Sequence, residues 1–263
     1  MNQYKKIAVI IIVLALMTIN LPPKVSSAKA SEGEDTILYV TVTVNGITRN
    51  VTVGDVVTTG SLTSQGYCEF PEIEVSYTAT NSINYADTVF TTESDCDLVV
   101  SSIVQSTQYG SPDSLDLDGS MATPVNQSEG NEDINFETDD VAALYLGWAQ
   151  MAFREQFGIS VTKTRSEMSY QDNGSRVWDG EMENAFCWWT WTGWFNISCS
   201  ETHAYGGPFI VYLKVVGEYD HPFHIWHKTS AKFKAVPGGW IKACSFVGKS
   251  PPFWSTRCTG GRN

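Results

Sequence analysis

Apolar and polar positions alternate most cleanly between residues 36 and 53. Leu38, Val40, Val42 and Val44 interleave with Tyr39, Thr41 and Thr43, and Ile47 to Val53 repeats the pattern. Asn45-Gly46 stands between the two runs. Both central residues of a tight hairpin need positive φ, which Asn and Gly tolerate, so the pattern predicts a hairpin. Further strands are expected over 72–80 and 97–105. Residues 31–105 therefore read as a small N-terminal β module.

The pattern then changes. Residues 106–138 are rich in Gly, Ser, Asp, Asn and Pro, with few apolar positions and no Lys or Arg. Low hydrophobicity with charge of one sign is the composition of a flexible acidic linker. Over 139–157, Val141, Leu144, Tyr145, Trp148 and Ala152 fall at helical spacing. Thr138 or Asp139 can cap that segment and Gly158 can end it, so one short helix is expected there. Beyond it the alternation returns over 159–170, 185–198, 209–218, 223–235 and 239–247. Turn residues fall at Asp172-Asn173-Gly174, Gly206-Gly207-Pro208 and Pro237-Gly238-Gly239. Residues 139–263 are thus expected to form a C-terminal domain, an antiparallel β-sandwich or barrel carrying the helix, and the fold class is mainly β.

Charge is unevenly spread. Residues 31–140 hold twenty acids and one base, Arg49, whereas residues 203–263 hold two acids and eight bases. The chain as a whole has 29 acids against 17 Lys and Arg, which argues against a nucleic-acid partner. An apolar share of 42% suffices for a sizeable core, and nine Trp residues are a further departure from ordinary composition.

Residues 1–30 read as a secretory signal peptide. Lys5 and Lys6 precede an apolar run over 7–19, and Ala28-Lys29-Ala30 offers small residues for cleavage. That run is short for a membrane span, which needs about 20 residues. A secreted or extracellular-surface protein is expected. All six Cys lie after this segment, so three disulfides are expected in an oxidising compartment. Of the fifteen pairings six Cys allow, the sequential one closes local loops: Cys68–Cys96, Cys187–Cys199 and Cys244–Cys258. Asn50, Asn126, Asn173 and Asn196 head N-x-S/T triplets, so the chain is a candidate glycoprotein.

The most unusual stretch runs from Cys187 to Cys199 and holds Trp188, Trp189, Trp191, Trp194 and Phe195. In an extended ribbon Trp189, Trp191 and Phe195 would face one way, and Trp188 and Trp194 the other. One face could be core while the other forms a platform for sugar rings, on which indole rings stack, or for a membrane interface. His221, His224 and His227 are close in sequence, but strand geometry turns His224 away from the other two, so no metal site is expected. Asp113, Asp116 and Asp118 before Gly119 resemble part of a calcium loop without its distal Glu. The short motifs of serine hydrolases, zinc proteases and P-loop proteins are absent. A glycosidase carboxylate pair would most readily use Glu181 and Glu183.

The sequence thus points to a non-enzymatic extracellular binding protein without a cofactor. Its expected partner is a glycan or cell-envelope surface, met through Trp188, Trp189, Trp191, Trp194 and Phe195, with membrane contact as a further option. The alternatives are an acidic precursor of a cationic, Trp-rich membrane-active effector and a secreted hydrolase.

Overall fold

The computed structural model describes residues 39–108, 142–190, 193–204 and 209–263. The signal segment, Asp113–Gly119, Asn126, Trp191 and the expected turn at 206–208 lie outside the described residues. Strands run in chain order as β1 (Val40–Val44), β2 (Ile47–Val51), β3 (Val56–Thr59), β4 (Ser61–Leu62), β5 (Cys68–Thr80), β6 (Tyr85–Thr92) and β7 (Asp97–Ser106). They continue as β8 (Ala143–Arg154), β9 (Ser160–Asp172), β10 (Val177–Trp189), β11 (Phe195–Ala204), β12 (Val211–Asp220), β13 (His227–Val236), β14 (Gly239–Ser250) and β15 (Ser255–Arg262). The described residues contain no helix.

The strands form two antiparallel sheets. The first has the order β11-β12-β13-β14-β5-β1-β2, with β4 on β5, and the second β10-β9-β8-β15-β6-β7-β3. The predicted hairpin is β1–β2, with Val44 opposite Ile47. Asn45 and Gly46 take φ of 52° and 79° in its turn, the left-handed region that hairpin geometry requires.

The helix expected over 139–157 is corrected: Ala143–Arg154 is the strand β8. β8 lies between β9 and β15 and is buried on both faces from Gly147 to Phe153. Ala149, Met151 and Phe153 point into the core, while Trp148, Gln150 and Ala152 point to the other side and are buried as well. A strand apolar on both faces loses its period of two, and its residues then match a helical template by chance.

The division at the linker also changes. β14 pairs with β5, and β15 sits between β6 and β8. Strands from before and after the acidic segment therefore share both sheets, and the described residues form one compact unit rather than two modules. The inner faces explain this. Phe70 of β5 packs on Phe246, which in turn stacks on Phe153, both beyond the linker.

The disulfides are Cys68–Cys96, Cys187–Cys199 and Cys244–Cys258. Each bond joins the first sheet to the second. Cys68 opens β5 and Cys96 lies at the entry to β7, Cys187 and Cys199 are on β10 and β11, and Cys244 and Cys258 are on β14 and β15. Pairs that are near in sequence thus act as rivets across the sandwich. Three disulfides fit a protein of an oxidising, extracellular-type compartment.

Candidate functional site

β10 and β11 are the edge strands of opposite sheets on the same side of the sandwich. The stretch 185–198, expected as one strand, is therefore the end of β10, a crossing over 190–194 and the start of β11. Cys187–Cys199 clamps the crossing, with Cα atoms 5.9 Å apart. Gly193 lies in it at φ 102°, and a side chain there would meet His221 Nε2 at 2.9 Å, so only glycine lets the chain lie against that imidazole.

The aromatic residues do not form one ribbon with two faces. Trp194 is 3% exposed and belongs to the core. Its ring centroid lies 4.9 Å from His227, 5.1 Å from His221 and 5.9 Å from Phe153. Trp194 is thereby removed from the platform: the reversal at Gly193 turns it inward, where an extended ribbon would have placed it beside Trp188. Trp188 is half-buried opposite Lys163 of β9, and the Lys163 ammonium stands 5.0 Å from its ring centroid. Trp189 and Phe195, at the two ends of the crossing, are 44% and 54% exposed, and Ile197 beyond them is exposed too. Trp191 lies between them in sequence, outside the described residues.

Hydrogen bonds fix the start of β11. Asn196 Nδ2 donates to the carbonyls of Ser198 and Glu218, at 3.0 and 3.2 Å, across an irregularity in the β11–β12 pairing. Trp226 Nε1 donates to Glu218 Oε1 at 2.8 Å. The Asn196 amide is thus engaged in the fold. Asn173 likewise uses its side-chain oxygen in a turn, accepting from Ser175 and Arg176.

Beneath the crossing the two sheets share a polar cluster. Thr164 Oγ1 lies 2.7 Å from Thr229 Oγ1 and 2.9 Å from the Tyr219 hydroxyl, which donates to Lys163 O at 2.5 Å. Burial pushes the Tyr219 phenol well above its usual range and pulls the His227 imidazole down to about 3. These groups are sealed from solvent; the hydroxyls bond one another and His227 Nε2 meets Thr162 Oγ1, while His227 Nδ1 has no hydrogen-bond partner among the described residues. Among the described residues no three His, Cys, Asp or Glu side chains converge as metal ligands. His221 and His227 pack on Trp194, while His224 sits in a turn with φ 62°.

Glu181 and Glu183 line an open groove of about 590 Å³ with Leu144, Gln171 and Asp179. The seven residue steps from Glu181 to Trp188 span roughly 20 Å at ordinary strand rise. The groove and the aromatic crossing are therefore separate sites.

A second feature lies on β13. Lys228, Lys232 and Lys234 alternate with buried Thr229, Ala231, Phe233 and Ala235 along β13, which sets the lysines on the outer face of the first sheet. The alternation itself was the signal. Comparison with protein-family models, with curated proteins and with solved structures finds no match for this chain.

Proposed function

We propose that this chain is an exported, non-enzymatic binding protein that holds a carbohydrate or surface glycan at the β10–β11 crossing. The observation that carries the reading is the pair of exposed rings, Trp189 and Phe195, on a link clamped by Cys187–Cys199 and anchored by buried Trp194. Aromatic faces held rigid lose little entropy on stacking against a sugar ring, and the indole N–H can serve its hydroxyls. Trp191, in the same link, completes the candidate set, and Trp188 with its Lys163 ammonium forms the shoulder. Export agrees with the signal-like start of the sequence and with three disulfides.

The released cationic effector has weaker support. A fragment cut in the acidic linker would separate β14 from β5 and β15 from β6. That leaves long unpaired edges and an open core. The hydrolase reading rests on Glu181 and Glu183, which are exposed in an open groove apart from the aromatic crossing.

The test is adsorption to a panel of glycans by Trp189→Ala, Trp191→Ala and Phe195→Ala, with the thermal transition measured beside it. Retained transitions with lost adsorption support the reading. Unchanged adsorption in all three variants refutes it.

A further inference from the structure

The outer face of the first sheet carries a row of side chains that can be read directly from the register. Lys214 of β12 stands opposite Lys232 of β13. The row continues through Thr202 on one side, and through Ala243, Ser76 and Thr41 on the other. No acid lies in it. In the neighbouring row Tyr212 faces Lys234, and Lys232 Nζ lies 4.5 Å from the Tyr212 ring centroid. Glu74 and Glu218 lie on other rows, opposite Ser245 and Lys228.

This arrangement is unfavourable in the free protein. Like charges directly opposite on adjacent strands repel. Lys232 is also partly desolvated, and its ammonium is destabilised first by that burial and then by Lys234 and Lys214. Among the described residues Glu74, on the next row, offsets only part of this cost, and the Lys232 ammonium stays destabilised on balance. An anion laid along the row relieves both costs at once.

We propose that the outer face of the first sheet, at Tyr212, Lys214, Lys232 and Lys234, binds an anionic polysaccharide bearing sulfate or carboxylate groups. Two observations favour a slender polymer over a charged surface. The chain as a whole carries a net charge of −12, so a broad anionic plane would meet repulsion beyond a Debye length of this small row. The row's other members are hydroxyls and a methyl, from Thr202, Ser76, Thr41 and Ala243, which suit sugar hydroxyls and offer nothing to insert into lipid. The inference rests on the glycan-binding reading above, but it uses a different face, and it adds the charge of the ligand.

The experiment uses the full chain with dextran sulfate, uncharged dextran and vesicles rich in phosphatidylserine. The wild type is expected to bind dextran sulfate and ignore dextran, with binding present at about 0.1 M salt and abolished at about 1 M. The combined change Lys214→Gln, Lys232→Gln, Lys234→Gln should weaken binding at least about tenfold with the thermal transition kept. Should that variant misfold, Lys214→Gln and Lys232→Gln are measured singly and each should weaken binding. Trp189→Ala with Phe195→Ala should leave dextran sulfate binding intact, so loss of neutral-glycan adsorption in that variant concerns the crossing alone. Equal binding by wild type and lysine variants, no wild-type binding to dextran sulfate, or capture by vesicles that dextran sulfate does not compete away would each overturn the proposal.

Discussion

His227 Nε2 lies 2.8 Å from Thr162 Oγ1, and this contact reaches from β13 of the first sheet to β9 of the second. The imidazole is fully buried, with Phe153, Trp194 and Tyr219 around it. Burial holds its pKa at about 3 against an ordinary 6.5. As pH falls below 6.5 the unfolded chain takes up this proton, while the folded chain does so only near 3. The unfolded state binds more protons throughout that window, so stability is full above it and is lost as pH drops through it. Thermal midpoints measured between pH 7 and pH 4 should fall more steeply in the wild type than in His227→Phe, which fills the site without titrating. Parallel slopes would remove His227 as a source of acid sensitivity.

Trp194 and Trp189 are five residues apart and have opposite roles. Trp194→Ala should cost about 3–5 kcal/mol, the usual penalty for emptying a large aromatic site in a core. Trp189→Ala should change stability by about 0.5 kcal/mol or less, as exposed positions do. Urea unfolding of the two variants separates the cases. A large loss in Trp189→Ala would put that ring in the core and remove it from the binding crossing.

Because Cys187–Cys199 joins two edge strands, its loss should act locally. Replacing both residues by Ser opens a loop of 12 residues and should cost roughly 2–3 kcal/mol. Hydrogen exchange is expected to rise in β10 and β11 while β13 and β14 stay protected. Removing Cys244–Cys258, whose two residues are fully buried, should instead lower protection across both sheets. Uniform loss of protection in the first variant would mean that the crossing is not an independent unit.

How legible this was from the sequence varied with the number of faces a strand buries. β1 and β2 are half-exposed, so Val and Thr alternate visibly and the Asn45-Gly46 turn stands out. β8 is buried on both faces, so its apolar residues run together and resemble a helix. The aromatic stretch was visible as chemistry, but its path was not. The reversal at Gly193 depends on His221, twenty-eight residues further on, and no local pattern reports that contact. The same holds for the merging of the two expected modules, which rests on β5 meeting β14 far along the chain. The disulfide pairing was legible because each loop is short, yet the role of the bonds as cross-sheet rivets needed the topology.

Lys242 bridges the two sheets through a buried amine. It is fully buried on β14, and its Nζ donates to Cys258 O at 2.7 Å and Ala86 O at 3.0 Å, both on the opposite sheet. Burial lowers its pKa from 10.5 to about 7. A neutral amine can make both of these hydrogen bonds, whereas the ammonium must also bear the cost of desolvation. Between pH 7 and 10.5 the unfolded chain holds the proton more tightly, so stability should rise with pH across that window. Lys242→Met keeps the volume and removes the titration, so its stability should stay flatter there. Near pH 7 the variant should lie within about 1–2 kcal/mol of wild type, since an apolar substitute often matches a buried charge. At pH 10 wild type should be the more stable of the two. All six cysteines are paired, so no thiol stands ready to start disulfide exchange at that pH. Denaturant midpoints at pH 7, 8.5 and 10 decide the matter. If the two proteins shift in parallel, Lys242 does not titrate in this range, and the two carbonyls hold it charged within the core.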